Sequence, residues 1–285
     1  YEAPRRRSTS LLAILIVVVL TIVVGAVAVR AFRPNGPIVV LDPGHGSADE
    51  SGATNGDLIE RDSNLDMAKR VQVLLRAAGV TVVLTRSTDG RADGLNTSRM
   101  DPATATFADL QARVVKANAA HAAVFVSLHS NSFEDPSVRG IEAWYDADRP
   151  FADRNRALAE LLSTDVPAQL RAAGFAAPPS KPRDEAGSVD AAGRTTPLFV
   201  LGRSRDVTLD ELADRGVSPS ALGLTPGATA YHTGETNTPG ALLELLYVSN
   251  EQDAALLRDP KARAAMASGI AQAILAFLAD TDARK

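Results

Sequence analysis

The chain has 285 residues, enough for one large domain or two small ones. An apolar share of 45 % and a charged share of 22 % are those of a globular protein, and zero cysteines exclude disulfides and thiolate metal ligands. Net charge is −4, but residues 1–37 hold one acid against five arginines, so the remainder carries about −8, which argues against a nucleic-acid-binding body.

Leu11–Val29 runs without a charge and follows Arg5, Arg6 and Arg7. As a helix it spans about 28 Å, the thickness of a bilayer core. Basic flanks stay cytoplasmic, so the bulk of the chain is expected outside a membrane, tethered by a single span. A cleaved signal peptide is the alternative, with Ala26-Val27-Ala28 as its cleavage site. Residues 30–37 then read as a linker, and 38–281 as one exported domain.

Ile38–Asp42 is a β-branched strand stopped by Pro43 and Gly44. His45 follows it, where open α/β sheets place ligands. Leu65–Ala78 carries a helical apolar stripe closed by Gly79, with Ser63 and Asp66 as a cap. A strand over Val80–Thr85, a helix over Asp109–Ala120 and strands over Ala122–Leu128 and Gly140–Tyr145 come next. Ala152–Ala173 is a helix, residues 176–196 a Pro- and Gly-rich loop, and Leu198–Leu201 a strand. Residues 203–239 form a polar insertion with a short helix over Val207–Arg215. The strand Ala241–Tyr247 and a C-terminal helix with Met266, Ile270, Ile274 and Phe277 on its stripe complete the series. Alternating strands and helices predict a single α/β domain with a twisted, parallel or mixed sheet flanked by helices.

Two of the four histidines, His45 and His129, stand at strand ends. A catalytic zinc takes three His or carboxylate ligands and keeps one position open. Glu60, just ahead of a helix, is the candidate third ligand. Asp42 suits a turn that fixes the loop, while Asp49, Glu50 and Asp57 are not excluded by spacing. Glu244 lies inside the apolar ALLELL, where a charge is costly unless it is paired or working. Beside a metal such a carboxyl serves as a proton carrier in amide hydrolysis. Among single residues, His121 ends a helix, His232 sits in the inserted loop, Trp144 and Tyr145 suit the edge of the core, and Arg113 suits a buried carboxylate.

These residues carry a resemblance. VVLDPGHG (39–46), ERDSNLDMAKRVQVLLRAAGVTVVLTR (60–86), RVVKANAAHAAVFVSLHSN (113–131), GIEAWY (140–145), PLFVL (197–201) and ALLELLYVSNEQDAALL (241–257) resemble the type-3 family of zinc-dependent N-acetylmuramoyl-L-alanine amidases, bacterial cell-wall hydrolases. The resemblance implies zinc ligands at His45, Glu60 and His129, the catalytic glutamate at Glu244, and structural or substrate-positioning roles for Asn118 and Asn131. It implies peptidoglycan as substrate, cut between the lactyl group of N-acetylmuramic acid and L-alanine. A zinc peptidase acting elsewhere on the stem peptide, or a non-catalytic regulatory relative, are the alternatives. The family usually runs quickly from PLFVL to the glutamate strand; here 203–239 intervene. Some relatives carry an inserted helix that covers the zinc until an activating partner moves it. Val207–Arg215 is therefore expected near the cleft, with Asp210 and Glu211 as residues that could face the metal, although a solvated helix face is the plainer reading.

Overall fold

Strand β1 (Ile38–Pro43) forms because its β-branched residues pack on both sides of a sheet, and five of its six residues are buried. The computed structural model describes residues 36–185 and 200–283. The expected membrane segment at 11–29 lies outside the described residues. A two-stranded ribbon of β2 (Thr54–Asn55) and β3 (Leu58–Ile59) leads into α1 (Glu60–Ala77). Then follow β4 (Thr81–Leu84), α2 (Pro102–Ala119), β5 (Val124–Asn131), β6 (Ile141–Tyr145), α3 (Ala152–Ala172) and β7 (Ser180–Asp184). The insertion supplies β8 (Asp206–Thr208), α4 (Leu209–Asp214) and β9 (Ala230–His232), and β10 (Gly240–Tyr247), α5 (Glu251–Arg258) and α6 (Pro260–Ala283) close the chain.

The main sheet has the order β4-β1-β5-β10-β6-β7. The first four strands run parallel, β6 is antiparallel to β10, and β7 is parallel to β6. It is the mixed sheet the alternation implies. Side chains alternate across it. Val39, Leu41, Val126 and Leu243 face α1, α3 and α6, where Val71, Leu158, Ile270 and Phe277 complete the larger core. Val40, Phe125 and Leu242 face the other way, against Ala117 of α2 and Val200 and Leu201. Asp42, Ser127, His129 and Glu244 lie on that second face, by the same alternation.

Several expectations change. Helix α1 starts at Glu60 rather than after Ser63; Ile59 is its cap position and no side chain caps it. Ser63 and Asn64 are therefore buried residues inside the helix, and Glu60 sits where the helix dipole favours a carboxylate. Helix α2 begins seven residues before the apolar stripe suggests, at Pro102, with Asp101 accepting from the Thr104 N–H at 2.9 Å. Pro at the first helical position and Asp before it are ordinary start signals that the polar ATAT stretch obscured. Within the stretch read as loop, Ser180–Asp184 is an edge strand; its prolines and charges fit only at an edge. Val200 and Leu201 are buried turn residues, not strand, and the rest of that expected strand lies outside the described residues.

The loop after β1 is held by two fully buried arginines. Arg113 pairs with Asp42 and Asp109, each at 2.8 Å, and its remaining N–H groups donate to the carbonyls of Pro43 (2.7 Å) and His45 (2.6 Å). Arg86 donates to the carbonyls of Pro43 and Gly44, both at 2.9 Å, and of Arg61 at 2.7 Å. Burial lowers the Arg86 guanidinium to about 10, still charged at neutral pH. Replacing Arg113 with methionine strands two buried carboxylates and is expected to destabilise the fold by about 3–5 kcal/mol in urea unfolding.

Burial pushes the Asp42 carboxyl up, but Arg113 and the hydroxyls of Thr85 and Ser127 outweigh it and hold the carboxyl below its ordinary value. The native state then binds fewer protons than the unfolded chain, so Asp42 stabilises fully above about pH 4 and less as pH falls. Asp42→Asn should flatten the loss of unfolding free energy below pH 4, read as urea midpoints at several pH values; an unchanged slope contradicts the assignment.

Candidate metal centre

Three elements deliver the candidate ligands. His45 stands in the turn after β1, His129 near the end of β5, and Glu60 opens α1. The turn is unusual: His45 and Ser47 adopt φ of 61° and 73°, a conformation non-glycine residues rarely take. A Cβ on Gly44 would strike the His129 ring, and one on Gly52 would strike Glu60 and His45. Glycine at these two places lets the chain close around the three side chains.

His45 Nε2 lies 2.9 Å and His129 Nδ1 3.3 Å from the same oxygen, Glu60 Oε1. The three ligand atoms lie within 4.8 Å of one another. The two imidazoles meet edge to face, 5.0 Å apart and inclined at 70°. Backbone N–H groups fix the carboxylate: Ala53 donates to Oε2 at 2.8 Å and Ser130 to Oε1 at 3.1 Å. On the outer side, His45 Nδ1 meets Glu50 Oε1 at 2.5 Å. That contact orients the ring and leaves Nε2 for the shared point, the arrangement by which carboxylates orient metal-binding histidines.

The electrostatics favour a cation. Burial opposes charge on His45, yet Glu50 and Glu60 raise its imidazole to about 10. Burial likewise opposes charge on Glu60, but hydrogen bonds with His129 and His45 hold its carboxyl far below the usual range. Two imidazole nitrogens and a carboxylate oxygen converging on one point are the donor set of a catalytic zinc site. The residues present fit such an ion.

Glu244 pairs in register with His129 on the neighbouring strand. Its Oε2 is enclosed without a hydrogen-bond partner, and burial pushes its carboxyl up to about 7. Just beyond it β10 bulges, and Leu246 is forced to φ of 75°. Buried Asp253 holds the bulge by accepting from the N–H groups of Tyr247 at 3.2 Å and Gly140 at 2.7 Å. Strain next to an unpartnered acid is common at working sites. A cavity of about 200 Å³ opens beside the two histidines, lined also by Glu50, Thr106, Leu110, Val200 and Leu242.

The other candidates fall outside this cluster. Asp42 anchors Arg113, Asp49 pairs with Arg91, and Asp57 pairs with Arg258. Glu50, which spacing alone left open, is the partner of His45 rather than a fourth convergent ligand. Asn131 ends β5 and turns its Oδ1 onto the Ser132 N–H, while Asn118 bridges α2 to the insertion through Glu235 and Asn237. His232 is exposed and pairs with Asp206. Trp144 is half-buried, and His121 takes φ of 49° in the turn after α2.

The expected helix of the insertion exists but does not stand over the cluster. Thr208 and Glu211 form a capping box at its start, and Glu211 pairs with Arg205 at 2.9 Å. Val207, Leu212 and Val217 pack on Phe107 of α2, and Ser218 N–H donates to Thr104 at 2.7 Å. The insertion buttresses the back of α2, whose Thr106 and Leu110 line the cavity. The helical spacing was legible; its docking partner, Phe107, was not. Glu50→Ala should weaken divalent-cation binding by about 10- to 100-fold in calorimetry. His129→Ala should abolish it, and unchanged affinity in both variants contradicts the centre.

The comparisons with known proteins agree with this geometry. The family model described as N-acetylmuramoyl-L-alanine amidase matches residues 39–276. The chain is 39 % identical over 135 residues to the N-acetylmuramoyl-L-alanine amidase LytC of Bacillus subtilis, covering 47 % of this chain and 24 % of that protein. It is 26 % identical over 254 residues to the amidase AmiC of Neisseria meningitidis, covering 85 % of this chain and 53 % of that one. The chain thus spans about a quarter and about half of the lengths of these curated relatives. The Clostridioides difficile CwlD amidase, solved with the GerS lipoprotein, has the same fold at a TM-score of 0.60 and 22 % identity, covering 86 % of this chain and 99 % of that one.

Proposed function

The chain belongs to the N-acetylmuramoyl-L-alanine amidase family, and from that membership we propose that it is a zinc-dependent hydrolase of peptidoglycan. The bond cut is the amide joining the lactyl group of N-acetylmuramic acid to L-alanine of the stem peptide. The observation that carries the reading is the convergence of His45, Glu60 and His129 beside Glu244, whose Oε2 is enclosed without a hydrogen-bond partner.

His45, Glu60 and His129 would hold a divalent cation, which would supply Lewis-acid chemistry for the scissile carbonyl and for water. The donor set favours zinc, because two imidazoles suit it better than they suit magnesium or calcium. Glu244 takes a proton at Oε2 from the attacking water, whose oxygen bonds to the scissile carbonyl carbon, and passes it to the nitrogen of L-alanine as the C–N bond breaks. A carboxyl near 7 can both accept and donate at neutral pH, which is what this exchange requires. Glu50 holds His45 in the tautomer that presents Nε2, and the backbone N–H groups of Ala53 and Ser130 keep Glu60 from turning. Leu110, Val200 and Leu242 limit water beside the reacting groups. Asn131, two residues beyond His129, is assigned to substrate positioning in the same proposal.

The uncharged run Leu11–Val29 behind three arginines supports a domain held on the outer face of the cell membrane, where peptidoglycan lies. The complex of CwlD with the GerS lipoprotein supports a protein partner as part of the same reading.

Glu244→Gln should retain the cation and the fold while turnover falls by about 10²-fold or more. Mass spectrometry of digested peptidoglycan should show intact stem peptides that begin at L-alanine. Cleavage within the stem peptide instead, or near-normal turnover in Glu244→Gln, contradicts the proposal.

A further inference from the structure

We propose that Lys181 and Arg183 form a subsite for a carboxylate of the stem peptide, on the sheet face that carries Glu244; this rests on the amidase reading. The register places it there. Glu142 of β6 stands opposite Glu244 of β10, and Lys181 of β7 stands beside Glu142. In the next row, Trp144 stands opposite Leu242, and Arg183 beside Trp144. Alternation puts all six side chains on one face. Two strand spacings separate Lys181 from Glu244, roughly 10 Å.

The side chains in these rows are organised. Arg183 donates from Nε and Nη2 to the same oxygen of buried Glu142, at 2.7 and 2.6 Å, and its guanidinium lies 5.3 Å from the centre of the Trp144 ring. Glu142 and Trp144 thereby hold Arg183 in place while its side chain remains 39 % exposed. Lys181 is 58 % exposed and has only Glu142, at 4.0 Å, as an ion-pair partner among the described residues. Among the described residues, Lys181 and Arg183 therefore share Glu142 as their one ion-pair partner, on the surface of a domain that is otherwise acidic. A lysine on an edge strand is commonly a guard against strand pairing. That role does not require an arginine clamped by a buried carboxylate in register with Glu244.

The distance selects the occupant. An extended peptide advances about 3.3–3.6 Å per residue, so a chain with its N-terminal nitrogen at Glu244 reaches Lys181 and Arg183 by its second or third residue. A γ-linked D-glutamate in the second position presents its free α-carboxylate there. Two oxygens between a guanidinium and an ammonium make charge-assisted hydrogen bonds.

The test is calorimetry with the metal-loaded protein and two probes, L-alanyl-γ-D-glutamyl-L-lysine amide and the same peptide with the second α-carboxyl converted to an amide. The charged peptide should bind at least about fivefold tighter, the scale of one exposed ion pair. Lys181→Ala, and separately the double variant Glu142→Gln with Arg183→Gln, should each remove most of that preference. The double variant avoids leaving Glu142 buried without its partner. Equal binding of the two peptides, binding of neither, or a preference that survives both changes overturns the subsite. If muropeptides stay uncut while the charge preference appears and is lost as described, the amidase reading fails and the subsite stands. Normal cleavage without any charge preference overturns the subsite and leaves the amidase reading in place.

Discussion

The structure depends on Arg113. One guanidinium, fully enclosed, pairs with both Asp42 and Asp109 and binds the carbonyls of Pro43 and His45. A loop in left-handed backbone conformations cannot satisfy its own carbonyls through helix or sheet, and a buried carbonyl without a partner is costly. Arg113 and Arg86 supply the donors from α2 and from the end of β4. The planar guanidinium makes several such bonds at once, which a lysine cannot. His45 is thereby presented at a fixed place and angle.

From that fixed loop the remaining geometry follows. Gly44 lies against the His129 ring, so β1 and β5 bring the two imidazoles into edge-to-face contact. The β2–β3 ribbon then swings the chain back to start α1 at Glu60 under both rings. Two carboxyl groups near one centre acquire opposite characters from their surroundings. Glu60, held by both imidazoles and by backbone donors, stays ionised, whereas Glu244 is pushed up to about 7 by burial of its carboxyl. Environments that drive paired acids apart let them take different roles, which the proposed function assigns as metal ligand and proton carrier.

Much of this was legible in the sequence because it rests on local signals. The apolar runs ending at His45 and His129 and the acid inside ALLELL mark strand ends and a buried charge, and the mixed α/β sheet follows from alternating elements. Local patterns mislead where tertiary contacts decide. Ser63 looks like a helix cap but lies inside α1, because the ribbon carries the chain into the helix before it. Ser180–Asp184 looks like loop, since an edge strand with Pro182 has no alternating apolar code. Arg113 suggested one carboxylate partner; that it clamps two, together with the His45 loop, depends on residues 42 and 109 meeting in space. The insertion carries an evident helix, yet its docking on Phe107 has no counterpart in linear spacing.

The central claim is that three side chains, from the turn after β1, from α1 and from β5, share one zinc ion. Anomalous diffraction at the zinc absorption edge, from crystals of the metal-loaded protein, tests it most directly. The account predicts a single peak at about 2.0–2.2 Å from His45 Nε2, His129 Nδ1 and Glu60 Oε1, with Glu244 beside it but not bound. A peak elsewhere, or none with these side chains drawn apart, contradicts it.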